Sequence, residues 1–204
     1  MIILTDVMVS LDNIHVIGSW YMSFHGGYKP RPKAFISYFK QHELNPEKIF
    51  FLGNRLIDMK LASRLKRKIK CKVFKCLIIR DGKKSLASRY DDKMVTNLWQ
   101  AREEIEKFKP DLVMSDFDNT LVHAGYSGVE RVVEKTRFWE RYGNNPLLRG
   151  FYAFFSQLAV LLKKEPYESK YDNTATFIKT LKTPLVIHTM SPEVQVKRLL
   201  KSFL

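Results

Sequence analysis

The stretch from Asp111 to Val122 constrains this chain most. After Pro110 comes a short apolar run, Leu112-Val113-Met114, that ends in Ser115-Asp116-Phe117-Asp118-Asn119-Thr120. A brief apolar run bounded by turn residues reads as a buried strand. Asp116 and Asp118 stand two residues apart at its C-terminal end, where open α/β sheets place their ligands. They would leave the strand together and point into one crevice. Clustered carboxylate oxygens suit a divalent cation. They also suit a nucleophilic carboxylate backed by a second carboxyl as acid and base. The plain alternative is a strand ending in an acidic turn, with Asn119 and Thr120 capping the exit.

The 204 residues suffice for one sizeable domain or a domain with an insertion, and 45% hydrophobic content implies a packed core. The net charge of +14 favours anionic partners: phosphate esters, nucleic acid or an acidic surface. Cys71 and Cys76 are separated by an odd offset, which puts them on opposite faces of a strand and argues against a disulfide between them. No zinc-type spacing of Cys and His occurs. The N-terminus lacks the basic start and long apolar core of a signal peptide. The apolar-rich stretch from Phe151 to Leu162 is too short to cross a bilayer of roughly 30 Å. The expectation is a soluble, cytoplasmic protein with no membrane partner.

Along the chain, strands are predicted over Leu11 to Ile17, Lys48 to Leu52, Val73 to Ile79, Lys93 to Thr96 and Leu185 to His188. Helices are predicted after Pro32, with Phe35, Ile36 and Phe39 on the apolar face, and after Asp58, carrying Met59, Leu61, Ala62 and Leu65. Another covers Asn97 to Phe108. From Thr120 the pattern is helical for about sixty residues, with segments around Val129 to Trp139, Leu147 to Leu162 and Tyr171 to Leu181, and a turn over Tyr142 to Pro146. The Leu147 to Leu162 helix is apolar almost all round, which predicts burial at a domain or subunit interface, such as a homodimer contact. Ser191 and Pro192 are a good N-cap and first-turn pair for a final helix. Residues 64 to 76 are densely basic. That is either a solvated face or a nucleic-acid contact surface.

These pieces resemble the haloacid dehalogenase (HAD) superfamily of phosphohydrolases. Its first motif, an apolar strand ending in Asp-x-Asp-x-Thr, is matched by Asp116-Phe117-Asp118-Asn119-Thr120. Its second, an apolar strand ending in Thr or Ser, is matched by Leu185 to Thr189. Its third, a lysine often in Lys-Pro-x-Pro before a helix, is matched by Lys29-Pro30-Arg31-Pro32. Its fourth, a strand followed by Gly-Asp and a second Asp four residues on, is matched by Gly53-Asn54 and Asp58, with Asn54 in place of the first Asp. The family runs first, second, third, fourth. This chain runs third, fourth, first, second. The rotated order implies a circular permutation spliced near residues 109–110. Pairing of complementary halves in a swapped dimer, or a cut from a tandem array, are the rival readings.

The resemblance implies a doubly wound, Rossmann-like parallel sheet formed by residues 1–120 and 182–204, with a small helical cap over residues 121–181. It implies a Mg²⁺-dependent phosphatase acting on a phosphate monoester, with Asp116 as nucleophile and Asp118 as acid and base. Thr189 and Lys29 would hold phosphoryl oxygens. Asp116, Asp118, Asp58 and Asn54 would ligate the metal. His188 and His123 flank the motifs, and packing or surface roles suit both. A non-catalytic nucleic-acid-binding protein on a degenerate HAD scaffold is the alternative, and a phosphatase acting on nucleic-acid ends combines the two.

Overall fold

A computed structural model describes residues 13–79, 89–124, 145–162, 167–170 and 173–203. Six strands form one all-parallel sheet: β1 (Ile14–Ile17), β2 (Lys48–Gly53), β3 (Lys72–Ile78), β4 (Lys93–Val95), β5 (Leu112–Asp116) and β8 (Leu185–His188). Their spatial order is β1-β8-β5-β2-β3-β4. The central strands carry near-continuous apolar runs because both of their faces are covered. On β2, Ile49 and Phe51 join one core cluster while Phe50 and Leu52 join the other. β5 divides the same way, Leu112 and Met114 against Val113. Cys71 and Cys76 are free, buried and on opposite faces, as their offset requires.

Helices cover both faces. The first face packs α2 (Lys33–Gln41), through Ala34, Phe35, Tyr38 and Phe39, and α3 (Leu56–Ile69), through Met59, Leu61, Ala62 and Leu65. The second packs α4 (Leu98–Phe108), α6 (Thr174–Thr180) and α7 (Glu193–Phe203), through Ala101, Ile105, Phe177, Ile178, Val196 and Leu200. Local chemistry marks the boundaries. The Asn97 side chain accepts from the Gln100 N–H at 3.0 Å to start α4. Asp111 ties the starts of β5 and β2 together, its carboxylate accepting from the Glu47 and Lys48 N–H groups at 3.0 and 2.9 Å.

A short helix, α1 (Ser19–Phe24), follows β1. Two features differ from the sequence expectation. Within the stretch expected to be helical, β6 (Val122–Ala124) and β7 (Tyr167–Lys170) form a separate antiparallel pair. Strands so far apart in sequence leave no local turn signal. The helix α5 (Pro146–Leu162) forms where expected, with Asn145 accepting from the Leu147 N–H at 3.0 Å. Its apolar surface is not all buried, however. Leu147, Phe151, Phe154 and Phe155 are exposed, while Tyr152 packs on Tyr28. The expected helix around Val129 to Trp139, the turn over Tyr142 to Asn144 and the start of the first strand at Leu11 lie outside the described residues. None of the described helices is long and apolar enough to cross a membrane.

Candidate functional site

The topology sets where a site can form. The connection leaving β2 runs through α3 on the first face. The connection leaving β5 runs through α6 on the second. The chain therefore parts between β2 and β5, and a crevice opens at their C-terminal ends. Asp116 ends β5 in that crevice. Asp58 enters it from the first turn of α3. Lys29 enters from the segment that precedes α2.

The Lys29 ammonium bridges the two acids, 2.5 Å from Asp116 Oδ1 and 2.9 Å from Asp58 Oδ1. All three side chains are nearly excluded from solvent. Asp58 is further held by the Arg55 N–H, which donates to its Oδ2 at 3.2 Å. Gly53 makes room for it. A Cβ there would lie 2.5 Å from the Asp58 Cβ, so the turn out of β2 requires glycine for the acid to tuck under it.

His188 ends β8 in register with Asp116. Its Nδ1 lies 3.7 Å from Asp116 Oδ1, and its ring packs against Phe35 and Phe51. Among the described residues, neither ring nitrogen has a hydrogen-bond partner. The packing role expected for His188 holds for the ring, but its Nδ1 stands beside Asp116. The signal that would have found it is its position at the end of the strand beside Asp116. The side chain of His123 lies outside the described residues.

Electrostatics follow from burial. Two carboxylates share one ammonium in a nearly dry place. Burial first, then the Asp58 charge, pushes the Asp116 carboxyl up to about 7 against the pull of Lys29. Burial alone would pull Lys29 down. The Asp116 and Asp58 charges outweigh it and hold the ammonium above its usual range. Burial, then Lys29, holds His188 well below its usual value, so its ring is neutral.

Asp118 belongs to an adjoining group. The chain turns sharply after it, with Asn119 in the left-handed region at φ 57° and the Phe117 carbonyl accepting from Leu121 at 3.0 Å. Asparagine tolerates that conformation better than most residues. Thr189 Oγ1 donates to Asp118 Oδ2 at 2.6 Å, and Ser191 Oγ lies 3.3 Å from Asp118 Oδ1. The Ser191 N–H donates to Thr189 Oγ1 at 2.9 Å. Ser191 thus serves the acid rather than the helix end, and the Pro192 carbonyl accepts the first N–H groups of α7 instead. The Thr120 hydroxyl donates to Asp116 Oδ2 at 3.4 Å.

The donor set fits a metal ion. Asp58, Asp116 and His188 each offer one ligand atom within 4.8 Å of the others. The Asn54 side-chain oxygen is buried with no hydrogen-bond partner, as the His188 nitrogens are. Buried polar atoms of this kind are uncommon and mark positions where another group belongs. With both carboxylates ionised, the cluster would carry one more negative charge than positive. None of the protein-family models, curated proteins or solved structures compared with this chain matches it.

Proposed function

We propose that this chain is a HAD-like phosphatase, circularly permuted, that hydrolyses a phosphate monoester with Mg²⁺ as cofactor. The observation that carries the reading is the meeting of four separate segments at one sheet edge. The strands bearing the second, first and fourth motifs, β8, β5 and β2, stand side by side. Lys29, from the third motif, bonds across to Asp116 and Asp58. That these four segments meet at one place, whatever their order along the chain, supports the reading.

In this reading an Asp116 carboxylate oxygen attacks phosphorus. The bond from phosphorus to the leaving oxygen breaks, and Asp118 gives its proton to the departing alkoxide. Asp118 then takes a proton from the attacking water, whose oxygen bonds to phosphorus as the bond to Asp116 breaks. Thr189 and Ser191 hold Asp118 in position for both transfers. Asp116, Asp58, the Asp118 main-chain carbonyl and Asn54 would hold the cation, with His188 beside them. When bound, the cation neutralises charge on the phosphoryl oxygens. Lys29 pulls Asp116 toward its ionised, attacking form and supplies a second positive charge. The helical segment within residues 121–181 would serve as a cap that excludes water.

The test is a phosphatase panel with and without Mg²⁺ on the wild type and on Asp116→Asn. The amide is nearly isosteric but not nucleophilic, so turnover should vanish while the melting temperature holds. Wild-type turnover in the variant would end this mechanism.

A second reading, nucleic-acid binding, is favoured by one observation. Lys66, Arg67, Lys68, Lys70 and Lys72 are all exposed at the junction of α3 and β3. Lys75 is not part of that surface, since it is turned to the Tyr90 carbonyl at 2.5 Å and to Asp92 at 3.5 Å.

A further inference from the structure

Three arginines gather beside the segment that carries Lys29. Arg31 follows Lys29 by two residues, so their Cα atoms lie within about 7 Å of each other. Arg64, on α3, donates from its guanidinium to the Pro30 carbonyl at 3.2 Å, which sets its charge against the same segment. Arg149 comes from α5. Its carbonyl accepts the Ser23 hydroxyl at 3.2 Å, and Ser23 Oγ is 2.5 Å from the Tyr28 hydroxyl. Tyr152, three residues further along α5, meets the Tyr28 ring edge-on at 5.3 Å. These contacts seat Arg149 over the residues just before Lys29.

Arg31 feels the other two charges. Partial burial first, then Arg64 and Arg149, hold the Arg31 guanidinium below its usual range. Among the described residues, the buried Arg149 Nε has no hydrogen-bond partner. Among the described residues, neither Arg64 nor Arg149 is paired with a carboxylate. Like charges set together in a partly buried place repel, and a surface of one sign draws counter-ions to it. Guanidinium forks match the oxygens of a phosphate.

We propose that Arg31, Arg64 and Arg149 bind a second phosphate of the substrate, so that the preferred substrate is doubly phosphorylated. One phosphate lies at Asp116 and the other on the arginines. Arg31 and Arg64 belong to the α/β core, whereas Arg149 belongs to α5, so the second phosphate joins the two. The inference rests on the phosphatase reading for the first phosphate, but its own test is a binding measurement. The shared chemistry is two phosphates on one molecule, supplied either by a free bisphosphate or by the end of a phosphorylated nucleic acid.

The experiment is calorimetric titration of the full chain bearing Asp116→Asn, in Mg²⁺. The probes are a nucleoside bisphosphate with one phosphate on each side of the ribose, the matching nucleoside monophosphate, and a short 5′-phosphorylated oligonucleotide. At least one of the two probes that carry more than one phosphate should bind about tenfold or more tighter than the monophosphate, a preference worth about 1.4 kcal/mol. Whichever of the two binds tighter names the source. Arg149→Gln and Arg64→Gln should each remove most of the preference without weakening the monophosphate. If Arg64→Gln melts early, Arg149→Gln carries the comparison. Equal binding of all probes by the parent, or an intact preference in Arg149→Gln, overturns the proposal. An arginine-dependent preference in a protein with no phosphatase activity would sink the phosphatase reading and leave this site standing. Turnover with no such preference would do the reverse.

Discussion

Lys29 is the residue on which the site depends. It is buried, and it is the positive charge set directly between Asp58 and Asp116. Removing one member of a buried ion group leaves the others uncompensated, at a cost of about 3–5 kcal/mol. Lys29→Met should therefore lower the thermal midpoint sharply in chelator. The same loss opens a place for a divalent cation between the two acids. Mg²⁺ should then raise the midpoint of Lys29→Met more than it raises that of the wild type, because a ligand that binds only the folded state stabilises it. The comparison is four melting curves, each protein with chelator and with Mg²⁺. No Mg²⁺ shift in either protein would mean that the acids do not form a cation site, and an equal shift in both would mean that Lys29 does not compete with the cation for them. Asn54 is the quieter member, bringing an oxygen but no charge where the resemblance implies an acid.

At the level of elements, α3 has two ends with different tasks. Its first turn delivers Asp58 into the crevice, and its last turn runs into the exposed basic residues Lys66, Arg67 and Lys68. If the second end binds nucleic acid, affinity should fall steeply with salt. On duplex DNA the log–log slope is about −0.9 per phosphate neutralised. No binding at low salt would mean that this face is simply solvated. Helix α5 shows what periodicity leaves open. Seventeen residues of almost unbroken apolar character predict burial, yet Phe151, Phe154 and Phe155 face outward. Apolar content says that a surface tends to leave water. It does not say whether the rest of this chain reaches that surface.

The whole molecule explains how segments far apart along the chain build one site. Crossovers that run from β1 to β2 and from β2 to β3 use the first face, through α2 and α3. Those that run the opposite way, from β4 to β5 and from β5 to β8, use the second face, through α4 and α6. Helix α7 follows β8, lies on the second face and packs against β1, the next strand in that same direction. A link from α7 to β1 would thus complete one more crossover of the same sense, as the uniform-hand rule demands. A chain recut to begin near residue 110, with Leu204 joined to Met1 by a short linker, should fold with an unchanged far-ultraviolet spectrum and keep any activity. Aggregation of the recut chain, under conditions where the parent is monodisperse, would favour the swapped-dimer or tandem origin.

Several parts of this arrangement are legible in the residues alone. The central strands show as apolar runs because burial on both faces leaves few polar positions in them. The turns after β2 and β5 show in Gly53, which makes room for Asp58, and in Asn119, which takes the left-handed conformation. Asp116 and Asp118 stand out because they follow an apolar run. What the sequence could not determine is which partner each group takes. Lys29 reaches two acids that are 29 and 87 residues away, Thr189 turns to Asp118 from 71 residues away, and His188 faces Asp116 through strand register. The pairing of β6 with β7, and of Arg149 with the Lys29 segment, is of the same kind. Local pattern reports what a residue needs, such as burial, a turn or a counter-charge. Which residue meets that need is settled only when the sheet brings distant strand ends together.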